Sequence, residues 1–418
     1  MNVLLVEPTF PIPPKSKNHK NFLPIGLLKI ASFLRSAGTG VRLIRGYPED
    51  NIVSLPELVE FSPDEIWITS LFTYWSKHVR NAVRYYKDLF PSARTVVGGI
   101  YASLMPEHCK EFTRCDAVHI GVLEEAEKVF PAYDLIQNAN PKPVDYQIIH
   151  ASRGCVRKCS FCGVWKVEPQ FKAKKSIKDE IKSRKIVFYD NNLLYNPYID
   201  NILQELIDLK RAGRLDWCDS QSGFDGRVLL QKPHLAKMVK NASFRQPRIA
   251  WDWGYEEAES IRTQINLLIK AGYDSKEIHI FMLYNWDIPF VEMEKKRAKC
   301  WEWETQIADC RYRPLQQTYD IYRPNRSGQT TEEYYIHEQG GWTDALVKQF
   351  RKNVRRQNIC VRQDLPFYSK AFEQKRVPKE VIRKVKALSG ITHKLAYLRS
   401  LGVDYWVPNG EHQDAMTR

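Results

Sequence analysis

Apolar residues along the first 120 positions follow two alternating rhythms. Residues 3–6, 41–44, 65–70, 95–99 and 117–120 form short runs rich in Val, Ile and Leu, as strands covered on both faces require. Between them, residues 25–35 and 76–89 place apolar side chains three and four positions apart, the spacing of an amphipathic helix. Gly38 stops the first helix. Strand–helix alternation predicts an α/β chain opening with a doubly wound parallel sheet. A ligand of such a sheet lies beyond the carboxyl ends of the strands, here near residues 7–14, 70–75 and 98–102. Residues 136–146, which include Pro141 and Pro143, break the rhythm and read as a linker.

The alternation restarts at residue 147. Strands are predicted at 147–151, 185–190, 216–223, 248–253, 277–283 and 310–314, with helices at 198–210, 258–271 and 291–307. Six strand–helix units fall short of the eight of a closed barrel, which predicts an incomplete, partial TIM-type β/α barrel. From about residue 332 the strand signal fades, and residues 344–354, 378–387 and 391–401 have helical spacing. The chain therefore divides into a sheet domain at 1–135, a linker at 136–146, a partial barrel at 147–330 and a mainly helical C-terminal region at 331–418. The last ten residues are polar and read as loose.

Composition adds boundaries. The 418 residues suit two or three domains. No apolar run approaches the roughly 20 residues that span a bilayer, and the first strand has no basic lead, so the expected compartment is the cytoplasm and no membrane partner is expected. An odd nine cysteines without a secretion signal argue against a disulfide framework. Six of them (Cys109, Cys115, Cys218, Cys300, Cys310, Cys360) stand apart and read as buried thiols. The net charge is +14, and residues 348–399 alone carry fifteen Lys or Arg against three acids, a surplus of twelve. That segment suits an acidic partner such as nucleic acid, with Tyr368 and Phe372 as candidate stacking rings. The competing reading is a solvated helical face.

The remaining three cysteines lie within eight residues, Cys155-Val-Arg-Lys-Cys159-Ser-Phe-Cys162, directly after the strand predicted at 147–151. Thiolates hold iron–sulfur clusters, and a four-iron cluster normally takes four of them. Three ligands leave one iron open, which suits a reactive centre better than an electron carrier. A zinc site would need a fourth ligand. His150 faces away from Ala151 on the strand, and no second Cys-x2-Cys pair lies nearby. Three packed structural thiols are disfavoured by Arg157 and Lys158 in the loop.

A Cys-x3-Cys-x2-Cys loop with Phe161 before its last cysteine, flanked by Ser152-Arg153-Gly154 and Gly163, resembles the radical S-adenosylmethionine (SAM) superfamily. The N-terminal pattern Pro24-x-Gly26-Leu27, Ala31-x-x-Leu34-Arg35-x-x-Gly38 and Val97-Gly98-Gly99 is similar to the Rossmann-like cobalamin (B12)-binding domain of one subgroup. The resemblance, which covers residues 1 to about 315, implies that Cys155, Cys159 and Cys162 hold a [4Fe–4S] cluster whose open iron is chelated by SAM. Phe161 would present its backbone or ring to the adenine. Asp190, Asn191 and Asn192, where the family commonly has Gly-Gly-Glu, would offer acceptors to the SAM amino group. Asp252, Arg248 and Arg227 are weaker candidates near the ligand, the two arginines being expected mainly at the surface. The reaction implied is reductive SAM cleavage to a 5′-deoxyadenosyl radical, with an external electron donor of flavodoxin or ferredoxin type. Methyl transfer through cobalamin to an unactivated carbon, cobalamin-independent radical chemistry and, in a different class, a metal-knuckle nucleic-acid-binding protein all remain open. The Asp-x-His-x-x-Gly signature of many corrinoid proteins is absent, and the loop with Lys15, Lys17, His19 and Lys20 either covers a corrin or is solvated. The substrate is not legible.

Overall fold

The computed structural model describes residues 1–12, 23–50, 55–137 and 144–408. The Lys15–Lys20 loop, most of the predicted linker and the last ten residues lie outside these. Five parallel strands, β1 (Asn2–Glu7), β2 (Gly40–Arg45), β3 (Glu65–Ser70), β4 (Arg94–Gly99) and β5 (Ala117–Val118), form one sheet in the order β2-β1-β3-β4-β5. The strand order reverses between β1 and β3, so the crevice of this doubly wound sheet opens at their carboxyl ends.

β1 is central, and its Val3, Leu4, Leu5 and Val6 are fully buried. Leu4 and Val6 meet Ile66, Ile68 and the helix Ser76–Leu89 through Val79, Ala82, Val83 and Tyr86. Val3 and Leu5 meet the helix Ile25–Ser36 through Leu27, Leu28, Ala31 and Leu34. Ile148 and Val187, which belong to the second sheet system, join this same cluster. The sheet domain and the barrel therefore share a core.

The second system has six parallel strands: β6 (Gln147–Ile149), β9 (Lys185–Phe188), β10 (Trp217–Ser220), β11 (Arg248–Ala250), β12 (His279–Tyr284) and β13 (Gln306–Arg311). They form two three-stranded sheets, β10-β9-β6 and β11-β12-β13. Single parallel bridges, Cys218 to Phe244 and Phe224 to Ile249, link the two halves. The result is the incomplete barrel expected from the pattern. Helices Ile199–Arg211, Ala258–Ala271 and Phe290–Glu302 pack on it around one large core. Two short strands, β7 (Ser152–Arg153) and β8 (Lys172–Ala173), pair antiparallel and close the base of the cysteine loop.

Several boundaries differ from the sequence reading. The helix predicted at 291–307 ends at Glu302, and β13 starts four residues before the strand predicted at 310. Met293, Cys300, Trp303 and Ile307 keep helical spacing across the junction, so periodicity cannot mark the stop. The stop is a left-handed turn at Glu304, with φ of 54°. The last helices are Asp344–Gln363, Lys379–Ala387 and Ile391–Ser400, so the first is nine residues longer than the predicted 344–354. Thr343 caps it through a hydrogen bond from the Leu346 amide.

The C-terminal charge is less available than its count suggests. Lys348 pairs with Asp344, Arg355 with Glu373, and Arg362 donates to Gln306. Tyr368 and Phe372 are buried, which removes them as stacking rings: their apolar area completes small cores with Trp406 and with Leu365, Phe367 and Leu398. Among the described residues, no helix is long and apolar enough to cross a membrane.

Candidate functional site

The cysteine loop leaves the carboxyl end of β6, and its entry is fixed by one buried carboxylate. Asp190, just past β9, is fully buried. It accepts hydrogen bonds from the Ala151 amide (3.0 Å), the Ser152 amide and the Ser152 hydroxyl (2.7 Å). Burial pushes its carboxyl up to about 6, against these donors, which pull it down. The side chain ties the β9 end to the loop entry, and its acceptors are already in use. Gly154 follows with φ of 75°, and a Cβ there would lie 2.4 Å from the Gln170 carbonyl oxygen. Its amide donates to Glu168 at 2.6 Å. Only glycine allows that close approach.

Cys155, Cys159 and Cys162 are free and half-buried. The Cys162 amide donates to the Cys159 carbonyl at 3.0 Å, and the Trp165 indole donates to the same oxygen at 3.1 Å. The Arg157 amide points at Cys155 Sγ from 3.4 Å. Burial raises the Cys159 and Cys162 thiols above their ordinary range, and the neighbouring sulfurs and Asp252 raise them further. Left to themselves these thiols stay protonated. A cationic metal centre reverses that balance and releases protons as it binds. Among the described residues, no three His, Cys, Asp or Glu side chains converge to hold a single metal ion.

The other anticipated residues lie around the loop with unequal roles. Asn192 is buried, and its Nδ2 donates to Asp225 at 3.2 Å and lies 4.0 Å from Cys155 Sγ. Its Oδ1 is buried without a hydrogen-bond partner. A buried unmet acceptor beside the cysteine loop fits an ammonium group. Asn191 makes one long contact, 3.5 Å to Glu168. Phe161 sits between the ends of β11 and β12, with ring centroids 5.9 Å from Trp253 and 6.2 Å from Trp286.

Arg248 is not the solvated side chain anticipated, whereas Arg227 is exposed as anticipated and also paired. Arg248 is buried and bonds Asp219 and the Ser220 carbonyl, each at 2.6 Å. Arg227 holds Asp225 at 2.9 Å. Both follow from unmatched acids facing the barrel opening, a tertiary fact that composition does not carry. Five of the six isolated cysteines are buried as expected. Cys310 is exposed, because its position on β13 faces away from the helix layer.

Three residues that no motif marked complete the site. Asp225 gathers Arg157 (3.0 Å), Asn192 and Arg227. Burial pushes its carboxyl up, but the two guanidiniums outweigh burial and hold it below its ordinary value. Glu168 bridges Arg153 and Gly154. Lys296 is fully buried in the helix Phe290–Glu302 and donates to the carbonyls of Trp251 (2.9 Å) and Trp253, with its pKa lowered by burial to about 8. It fixes the end of β11, where Asp252 stands between those tryptophans.

Asp252 has no hydrogen bond or ion pair among the described residues, and burial pushes its carboxyl up to about 6, with Lys296 and Arg227 pulling the other way. Its folded-state value exceeds the ordinary 3.8, so its contribution to stability is full below that value and is lost as pH rises through about 6. Asp252→Asn should therefore flatten part of the decline in melting temperature of the metal-free protein between about pH 4 and pH 7. A slope equal to that of the parent in thermal scans contradicts this assignment.

Comparison with known proteins bears out the resemblance read from the sequence. Residues 19–134 match the B12-binding domain family. A cytidylyl-2-hydroxyethylphosphonate methyltransferase from Streptomyces wedmorensis is 27% identical over 26% of this chain. The aligned stretch spans 23% of that relative's length. Among solved structures, the radical SAM methyltransferase TsrM from Kitasatospora setae, with cobalamin and a [4Fe–4S] cluster bound, superposes with a TM-score of 0.54 at 15% identity, covering 75% of this chain and 77% of TsrM. TsrM with tryptophan substrate and the SAM analogue aza-SAM gives 0.53 at 14%, covering 76% of this chain and 75% of that one. The likeness to TsrM is one of fold.

Proposed function

We propose that this chain is a radical SAM enzyme that transfers a methyl group with the help of cobalamin. The observation that carries the reading is the three-cysteine loop at the carboxyl end of the first strand of a six-stranded partial barrel that shares its core with a B12-binding-type sheet. Cys155, Cys159 and Cys162 would hold a [4Fe–4S] cluster, and the unmet Asn192 Oδ1 would take the SAM ammonium. Phe161 would border the adenine with Trp253 and Trp286. When bound, the cluster supplies the low-potential electron that cleaves the SAM sulfonium, and the corrinoid supplies a methyl carrier.

Aromatic side chains at the sheet crevice also fit the face of a flat ring system. Phe72 and Tyr74 stack at 5.0 Å beyond β3, and Phe10 stacks on Trp75 at 5.1 Å. Gly99, with φ of 97°, brings β4 against β3: a Cβ there would lie 2.2 Å from the Ser70 carbonyl oxygen. These side chains would hold and shield the ring system. Asp190 positions the cysteine loop, Asp225 orients Arg157 and Asn192, and Lys296 fixes the end of β11 that carries Asp252.

The test is anaerobic reconstitution with iron, sulfide and hydroxocobalamin, followed by gel filtration. The corrinoid should co-elute with the protein, and 5′-deoxyadenosine or S-adenosylhomocysteine should form from SAM under reduction. A folded, cluster-loaded chain that passes through the column without corrinoid would reduce the reading to cobalamin-independent radical chemistry. Gly99→Val should lose corrinoid retention and cost about 2 kcal/mol or more of stability, because a branched side chain is strained at that φ. Unchanged retention in gel filtration would disprove that role for the β3–β4 approach.

A further inference from the structure

Two segments meet at the carboxyl end of β12. One is the turn Asn285-Trp286-Asp287 that follows the strand, and the other is residues 335–337, between β13 and the helix Asp344–Gln363. Buried polar groups build their junction. Asn285 is fully buried, with a left-handed φ of 60°. Its Nδ2 donates to the Tyr335 carbonyl and its Oδ1 accepts from the His337 amide, each at 2.9 Å. The buried Trp342 donates its indole N–H to the carbonyls of Trp286 and Ile288, each at 3.0 Å. Backbone held in this way fixes the side chains it carries.

Those side chains form a line. Asp287 Oδ1 lies 3.0 Å from His337 Nε2, and the Tyr335 hydroxyl lies 2.8 Å from His337 Nδ1. A neutral imidazole has one donor nitrogen and one acceptor. The carboxylate takes the Nε2 proton, so Nδ1 accepts and the phenol donates. Carboxylate, imidazole and hydroxyl in that order activate the hydroxyl: the acid orients the ring and steadies its charge, and the ring removes the proton. The line runs from Asp287 in open solvent, through the buried His337 ring, to the half-buried Tyr335.

It stands at the carboxyl end of the barrel strands, where barrels of this kind place their chemistry. Trp286 stacks on the His337 ring at 5.8 Å and meets Phe161 of the cysteine loop edge-on at 6.2 Å. Tyr312, just past β13, lies 4.1 Å from Trp286 and meets Tyr335 edge-on at 5.6 Å. One tryptophan therefore separates His337 from the loop that carries the cysteines. Burial and the nearby Asp287 charge raise the Tyr335 phenol above its ordinary value, so it stays protonated until a base relieves it. His337 is placed to be that base. The surrounding rings, Phe161, Trp286 and Tyr312, suit a ligand that itself carries a ring.

We propose that Asp287, His337 and Tyr335 form a proton relay that makes Tyr335 the acid–base residue for an O–H or N–H group of an aromatic ligand at the barrel mouth. Its employment in methyl transfer rests on the reading above; the relay itself does not. The ligand's O–H or N–H bond breaks and its proton joins the Tyr335 oxygen. The Tyr335 proton passes to His337 Nδ1, and Asp287 holds the imidazolium until water takes a proton away. No electron is gained or lost.

The test uses the full-length protein and 4-nitrophenyl acetate, a ring-bearing ester that reports a base-activated phenol. Tyr335 attacks the acetyl carbon as its proton goes to His337, the ester bond breaks and 4-nitrophenolate leaves. Peptide mass spectrometry should find the acetyl group on Tyr335, gained about 10²-fold faster than on the exposed Tyr195 and Tyr198, the low end of general-base assistance. His337→Gln should bring Tyr335 down to the rate of Tyr195. Asp287→Asn changes a side chain that is 67% exposed, so the fold should survive, and acetylation should still fall about tenfold or more. Excess phenol, a ring with an O–H and no ester, should slow the parental reaction. Equal rates at Tyr335 and Tyr195, or parental rates in both variants, overturn the relay. Acetylation that phenol does not slow overturns its role toward a ligand. A chain that gains no cluster or leaves SAM intact overturns the methyltransferase reading and not the relay, which the ester reports without iron.

Discussion

Cys159→Ala is expected to abolish SAM cleavage, a loss of more than about 10³-fold, or roughly 4 kcal/mol of transition-state stabilisation at 1.36 kcal/mol per decade. Cys159 is the middle cysteine of the loop, and its carbonyl receives the Cys162 amide and the Trp165 indole. Alanine keeps those backbone contacts, so the fold should survive and only the metal site should be lost. The control is Cys300→Ala. Cys300 is fully buried in the helix Phe290–Glu302, and its removal leaves a small cavity worth about 1–2 kcal/mol with iron content and cleavage unchanged. Iron analysis and 5′-deoxyadenosine formation, measured side by side, separate the two. Cleavage retained in Cys159→Ala contradicts the ligand assignment.

Asp190→Ala should be the most damaging change outside the cysteines. It strands the amides of Ala151 and Ser152 and the Ser152 hydroxyl in a fully buried position. An unsatisfied buried donor costs about 1–3 kcal/mol, so the sum reaches about 3–5 kcal/mol even after partial relaxation. The loop entry should also loosen, and reconstituted iron should fall with stability. Denaturant unfolding reports the first effect and iron content the second. A stability change under about 1 kcal/mol would show that another group carries the loop entry.

The layering of both sheet systems was legible because their strands are covered on both sides. Val3–Val6 and Ile186–Phe188 must be continuous apolar runs to sit where they do, and helices such as 76–89 show their buried face by period alone. The cysteine loop was legible because its three thiols are local in sequence. Asp190 to Asn192 were placed correctly at the end of a strand, but their division of labour was not visible. Asp190 faces back into the loop entry and Asn192 toward Cys155. Asp225 and Lys296 were invisible for another reason. Each acts on groups supplied by other elements, Arg157 and Asn192 in one case and the β11 carbonyls in the other, and no local pattern records such partners. The helix–strand junction at Glu304 was misplaced because apolar spacing ran straight through a turn made by backbone conformation. Charge counting also misled: the long basic segment is partly spent on internal partners.

The most direct test of the central claim is anaerobic reconstitution of the full chain, with iron and sulfide counted per chain and SAM cleavage measured under dithionite. The account predicts a brown protein with about four irons and four sulfides that releases 5′-deoxyadenosine from SAM. A colourless chain that binds zinc through the same cysteines and leaves SAM intact would contradict it.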